Sequence, residues 1–241
     1  MRVHLFVPCF VDQLYPETAF NMVKVLEKAG CEVLYNSNQT CCGQPAFNAG
    51  FTSECKSVAS KYIKDFRDTD YVVSPSASCT GFVRNYYPSL FNNTVFHNEV
   101  KELAAKSYEF TEFLTDVLKL ETFGAQLSAK ATYHDSCAAL RECKIKEGPR
   151  KLLANVKDLE LIEMVDTETC CGFGGTFSVK FDAISTAMAD QKLKNALETG
   201  ASLIISTDLS CLMQLDGVIK HKDLPLRSMH IADVLASGWN E

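Results

Sequence analysis

The chain has 241 residues, 30 acidic and 24 basic side chains for a formal charge of -6, and 46% hydrophobic residues, which excludes disordered, collagen-like and coiled-coil classes. A net negative surface of this size argues against nucleic acid or an anionic membrane as the main partner. Eleven cysteines stand out, yet a chain this long buries a sufficient core without disulfide staples.

The first apolar run, Val3 to Val7, predicts a core strand. Met1-Arg2 ahead of it superficially suggests a signal peptide, but no small-residue cleavage site follows and Asp12 closes the run. No stretch of about 18 uncharged apolar residues exists, so a bilayer span is not expected. A reducing, cytoplasmic location is expected, where clustered cysteines hold metal or do redox chemistry more often than they form structural bridges.

Further along, the pattern predicts a helix over about Pro16 to Lys28, with Met22, Val25, Leu26 and Ala29 on its buried stripe, and Gly30 as its C-cap. A strand over Glu32 to Tyr35 leads to Cys41-Cys42-Gly43. A helix over Asn48 to Phe66, a strand over Tyr71 to Ser74 and a helix from about Gly81 complete the first half. The second half repeats this plan. Thr169-Cys170-Cys171-Gly172 echoes Thr40-Cys41-Cys42-Gly43, the segment ending at Cys137 echoes that ending at Cys9, and Ile204 to Cys211 echoes Val72 to Cys79. Ser107 to Leu114 likewise resembles Ser228 to Leu235, and Gly200 repeats the C-cap role of Gly30. The chain therefore reads as a tandem duplication with a border near Leu120 to Ala129, giving modules 1–124 and 125–241. Strands alternating with helices predict an α/β fold: two Rossmann-like βαβ modules, each with a parallel sheet, packed against each other.

The repeated cysteines fall just past the first, second and third strands of each half. In a parallel sheet all those ends share one edge, so Cys9, Cys41, Cys42 and Cys79 should converge, as should Cys137, Cys170, Cys171 and Cys211. Adjacent cysteines have Cα atoms about 3.8 Å apart, short of the usual disulfide span of about 4.4–6.8 Å. They suit two ligands on one centre better than a bridge. Four thiolates fit zinc or an iron–sulfur cluster, and the absence of short Cys-x2–4-Cys knuckles favours iron–sulfur. Cys31, Cys55 and Cys143 have no counterparts and read as structural thiols, with Cys143 the one near enough in sequence to reach a site. His134 and Asp135, just before Cys137, are candidates for a proton relay or an oxygen-rich ligand. His4 reads as core. Arg84, Arg141 and Lys180 are candidate carboxylate-binding groups near the cysteine edge.

The doubled pattern Cys-x31–32-Cys-Cys-Gly-x35–38-Cys resembles the cysteine-rich CCG domain found in heterodisulfide reductase and in the iron–sulfur subunits of glycolate and anaerobic glycerol-3-phosphate dehydrogenases. The runs Cys41-Cys42-Gly43-Gln44-Pro45-Ala46 and Cys170 to Ser178 are most similar to the two-module lactate utilisation protein A family. The resemblance covers essentially the whole chain. It implies an electron-transfer subunit of a complex oxidising L-lactate or a related 2-hydroxy acid, with one or two 4Fe-4S clusters and partner subunits carrying conventional clusters. Any membrane association would then run through those partners. The heterodisulfide reductase relatives imply five cysteines per module, ending in Cys-x-x-Cys, whereas Ser76 and Asp208 stand at the first of those positions here. A zinc scaffold without redox chemistry and a thiol–disulfide oxidoreductase are the alternatives.

Overall fold

A computed structural model describes residues 1–239. The last two residues assigned to the second module, 240–241, lie outside the described residues. The first half builds a sheet from β1 (Arg2–Leu5), β2 (Glu32–Tyr35), β3 (Val72–Ser74) and β4 (Ser107–Glu109). The second half builds another from β5 (Gln126–Tyr133), β6 (Lys157–Leu161), β7 (Leu203–Ser206) and β8 (Arg227–His230). Every pairing is parallel, and the strand orders are β2-β1-β3-β4 and β6-β5-β7-β8. Identical order in both sheets makes the duplication architectural as well as textual. β3 and β7 are buried along their whole length, as continuous apolar runs in parallel sheets require.

The predicted elements are present with three instructive differences. The expected helix over Asn48 to Phe66 is split into Gln44–Asn48 and Thr52–Phe66, because Gly50 takes a φ of +88° that no helix accommodates. The second half is split in the same place, into Thr176–Lys180 and Asp182–Glu198. The helix expected from about Gly81 begins earlier, at Ala77, where the Ser76 hydroxyl accepts the Cys79 N–H as an N-cap.

Each sheet has one face covered by its own helices. Phe6, Tyr62, Phe66, Phe82 and Tyr87 fill the first such core, and Leu193, Ile204, Leu215 and Ile219 the second. The opposite faces look towards one another across a shared layer made of Pro16–Lys28, Glu147–Ala154, Ile231–Leu235 and the short helix Phe110–Glu112 with the π-type turn behind it. A single apolar cluster runs from Val3, Leu5 and Val73 to Tyr133, Leu203 and Ile205. Polar ties reinforce it: Asp233 accepts from Thr18 Oγ1 and Asn21 Nδ2, both at 2.9 Å.

The module contact also runs past the sheet edges. Ser76 and Asp208, equivalent residues of the two halves, form an isolated antiparallel bridge, the relation a local two-fold axis produces. Nearby, a Cβ on Gly81 would lie 2.6 Å from Glu142 Cβ, so the helix Ala77–Asn85 approaches the turn Ala138–Glu142 only because residue 81 lacks one.

Equivalent residues cap the last helix of each half. Glu109 accepts the N–H groups of Thr111 and Glu112, and His230 Nδ1 accepts that of Ala232. Glu109 is fully buried and its Oε1 has no partner, so desolvation pushes its pKa up to about 8. The folded state therefore holds this proton more tightly than the unfolded chain. The resulting stability is complete below about pH 4.5 and is lost as pH rises through about 8. Glu109→Gln keeps the accepting oxygen and removes the charge. Denaturant titrations at pH 6 and pH 9 should show the wild type losing on the order of 1–3 kcal/mol more than the variant between the two conditions.

Candidate metal centres

At the carboxyl edge of the first sheet, the loop after β1 carries Cys9, that after β2 carries Cys41 and Cys42, and Cys79 sits in the first turn of the helix after β3. The four sulfurs form a line. Cys9 and Cys42 donate to Cys41, and Cys42 Sγ lies 3.4 Å from Cys79 Sγ. The second sheet repeats the line as Cys137, Cys170, Cys171 and Cys211. All eleven cysteines are free.

The middle sulfur of each line is where negative charge collects. Hydrogen bonds from Cys42 and Cys9, with the Gly43 N–H at 3.4 Å, hold the Cys41 thiol down to about 3. Cys137 and Cys171 do the same for Cys170, aided by the Gly172 N–H at 3.4 Å, and lower it to about 2. The partners that lend those protons, Cys9, Cys42, Cys137 and Cys171, are pushed up by the same bonds. Cys79 and Cys211 lie in the first turns of helices of 9 and 13 residues. Four free sulfur donors per site are a donor set that suits soft, thiolate-seeking metal centres.

Glycine at 43 and 172 is set by the turn: φ is +89° and +90°. A Cβ there would meet Cys55 O and Sγ at 3.3 Å in the first half, or Ser185 O at 2.4 Å in the second. The close approach that glycine permits at both positions is to the following helix. Cys55 is the packing partner of Gly43, and its counterpart Ser185 donates to the Gly172 carbonyl at 2.8 Å. Cys31 lies in the shared core, and Cys143 is buried between the modules, donating to Ala77 O at 3.4 Å. Nearness in sequence did not bring Cys143 into the thiol line.

Ser76 and Asp208 are both buried and both engaged in hydrogen bonds. Ser76 caps its helix and contacts Ser78 Oγ at 3.0 Å, while Asp208 accepts Ser210 Oγ at 2.8 Å and, across the interface, Ser78 N–H at 3.1 Å. Asp135 is equally committed: Arg150 grips it with two bonds of 2.9 and 2.8 Å while holding Glu163 and stacking over Tyr133. Arg84 is bound to Glu112 and to the Ser107 carbonyl. Arg141 lines an open polar groove with Thr167, Glu168 and Cys170.

His134 differs from these. Its ring is fully buried, neither nitrogen has a hydrogen-bond partner, and one nitrogen lies within 4.8 Å of both Cys171 Sγ and Cys211 Sγ. Burial, and secondly the Lys192 charge, lower its pKa to about 3, so the ring is neutral. Lys192 is itself fully buried, its ammonium donating to the carbonyls of Asp166 at 2.6 Å and Thr167 at 3.0 Å in the loop that leads to Cys170. Sequence reading missed Lys192, a lysine inside the helix Asp182–Glu198. The signal was its register: it stands where the first half has Tyr62, as His134 stands where the first half has Phe6.

The two halves match the cysteine-rich domain model CCG over residues 3–84 and 131–216. Over 237 residues, 98% of this chain and 100% of the relative, the sequence is 46% identical to lactate utilization protein A of Bacillus pumilus (strain SAFR-032). The chain belongs to the lactate utilization protein A family. The family member of Bacillus subtilis (strain 168) is 44% identical over 238 residues, again 98% of this chain and 100% of that protein. Among solved structures, a hypothetical protein from Helicobacter pylori aligns with all of this chain at a TM-score of 0.58 and 10% identity. This chain spans 49% of that protein, and the likeness is one of fold. Among the described residues, no helix of this family member is long and apolar enough to cross a membrane.

The glycine and cysteine roles are separable by substitution. Cys55→Ser places in the first half the residue type the second half already has, and metal content should be unchanged on elemental analysis. Gly172→Ala should cost about 2–4 kcal/mol in denaturant titration, since it combines left-handed backbone with a carbonyl clash.

Proposed function

We propose that this chain is a cytoplasmic iron–sulfur electron-transfer subunit of an assembly that oxidises L-lactate or a related 2-hydroxy acid. The reading treats residues 1–124 and 125–241 as two modules. Cys9, Cys41, Cys42 and Cys79 would hold one 4Fe-4S centre and Cys137, Cys170, Cys171 and Cys211 a second. The observation that carries it is the convergence of two equivalent four-thiol sets in a chain whose full-length relatives are named for lactate utilization. When bound, such a centre supplies one-electron redox chemistry at the sheet edge.

The chain's own residues prepare that edge. Cys41 and Cys170 present ionised sulfur, and Gly43 and Gly172 direct an N–H at each. In the first module, Phe6, Phe82 and Tyr87 exclude water, and Tyr87 donates to the Cys42 carbonyl at 2.6 Å, fixing the loop that carries the cysteine pair. In the second, Lys192 fixes the corresponding loop through two carbonyls and brings a positive charge beside the sulfurs. The bridge at Ser76 and Asp208, each three residues before a site cysteine, ties the two sites into one rigid unit. Partner subunits with conventional clusters would deliver or accept the electrons.

Anaerobically purified protein should contain iron and acid-labile sulfide in stoichiometric amounts. Cys42→Ser or Cys171→Ser should each remove roughly half of it, since metal occupancy follows the loss of a deprotonated ligand at one site only. Zinc alone under the same purification overturns the iron–sulfur reading in favour of a scaffold role. Absence of both metals, with redox-active thiol pairs on titration, favours thiol–disulfide exchange.

A further inference from the structure

We propose that His134 is a ligand, through a ring nitrogen, of the metal centre in the second module, so that the two modules hold unlike centres: thiolate only in the first, thiolate plus imidazole in the second. The proposal rests on the reading of both cysteine sets as metal sites and goes beyond it in the donor it adds.

A buried imidazole without hydrogen bonds is costly, on the order of 1–3 kcal/mol for each unpaired polar atom. Folding normally avoids that cost by supplying a partner, and His134 has none at either nitrogen although it is fully buried. What faces it is sulfur. A ring nitrogen and the sulfurs of Cys171 and Cys211 all lie within 4.8 Å of one another, a spread that a central cation draws together with small side-chain movements. The backbone on either side is pinned, with His134 N–H donating to Ile205 O at 2.8 Å and His134 O accepting from Ser206 Oγ at 3.0 Å. The ring is thereby held just past the end of β5, beside Cys171 and Cys211.

The duplication supplies an internal control. In the first half the same position is Phe6, whose ring packs edge-on against Tyr62 at 4.8 Å and fills its space with apolar contact. In the second half this aromatic pair is replaced by His134 and Lys192. Two neighbouring aromatic positions have become polar together, inside a core, and only on the side facing the cysteines. Lys192 spends its ammonium on the Asp166 and Thr167 carbonyls and does not pair with the imidazole.

The test uses the full chain, purified anaerobically with 15N-labelled histidine. Elemental analysis first establishes the metal. If it is iron, pulsed EPR of the reduced protein should show one strongly coupled nitrogen, lost in His134→Phe, which installs the residue of the first half, and retained in Cys9→Ser. If it is zinc, the X-ray absorption edge should report a mixed nitrogen and sulfur shell that becomes sulfur only in His134→Phe. Metal present with only a weakly coupled nitrogen, or with a coupling unchanged in His134→Phe, overturns the ligand assignment and leaves the iron–sulfur reading standing. Zinc with nitrogen in its shell does the reverse. Absence of any metal overturns both. The wild-type spectrum decides the matter even if the variant fails to fold.

Discussion

Four sulfurs crowded at one sheet edge cannot all be ionised without compensation, because like charges a few ångströms apart in a half-buried site repel strongly. Much of the local architecture answers that constraint. A single sulfur in each line, Cys41 or Cys170, takes the negative charge, and its neighbours keep their protons and point them at it. The glycine after each pair turns its N–H onto the same sulfur, which only a left-handed residue at that position can do. Helix N-termini lie under Cys79 and Cys211. A metal held by these sulfurs would displace the remaining thiol protons and relieve the repulsion.

The two halves meet the constraint by different routes. Around the first line the walls are rings: Phe6 on Tyr62, Tyr62 on Tyr87, Tyr87 on Phe82. Such a wall excludes water but adds no charge, so compensation there falls on the neighbouring thiols and backbone N–H groups. Around the second line the wall carries a buried ammonium and a neutral imidazole. A cation beside anionic sulfur stabilises it without desolvating further, so a centre in the second module gains electrostatic support that the first lacks. Equal sequence spacing therefore does not imply equal chemistry.

How much of this the sequence discloses depends on how local the determinants are. The duplication, the α/β class with parallel sheets and the placing of eight cysteines at the strand ends were legible, because strand–loop–cysteine repeats place residues at one edge by topology alone. The breaks at Gly50 and Phe181 were not, since one glycine within a helical pattern is tolerated as often as it terminates, and the second half breaks without any glycine. The roles of Asp135 and Cys143 were hidden for a different reason. Asp135 is claimed by Arg150, fifteen residues on, and Cys143 by Ala77 in the other module. The first follows from packing within the second half and the second from how the halves dock, which side-chain fit such as that of Gly81 on Glu142 sets. Lys192 was hidden by its setting, as a lysine in a charged amphipathic helix ordinarily faces water.

The position of the bridge between Ser76 and Asp208 explains why the modules are bound as one body. Each of these residues caps or opens the helix that carries the last cysteine of its own site, and the Asp208 carboxylate reaches across to the Ser78 N–H at the start of the other module's helix. A shift of one helix N-terminus is thus coupled to the other through this direct hydrogen bond. The same residues stand where relatives with five-cysteine modules would have thiols. Here that position is spent on joining the halves, and the second half has, at His134, a nitrogen in reach of the same sulfurs.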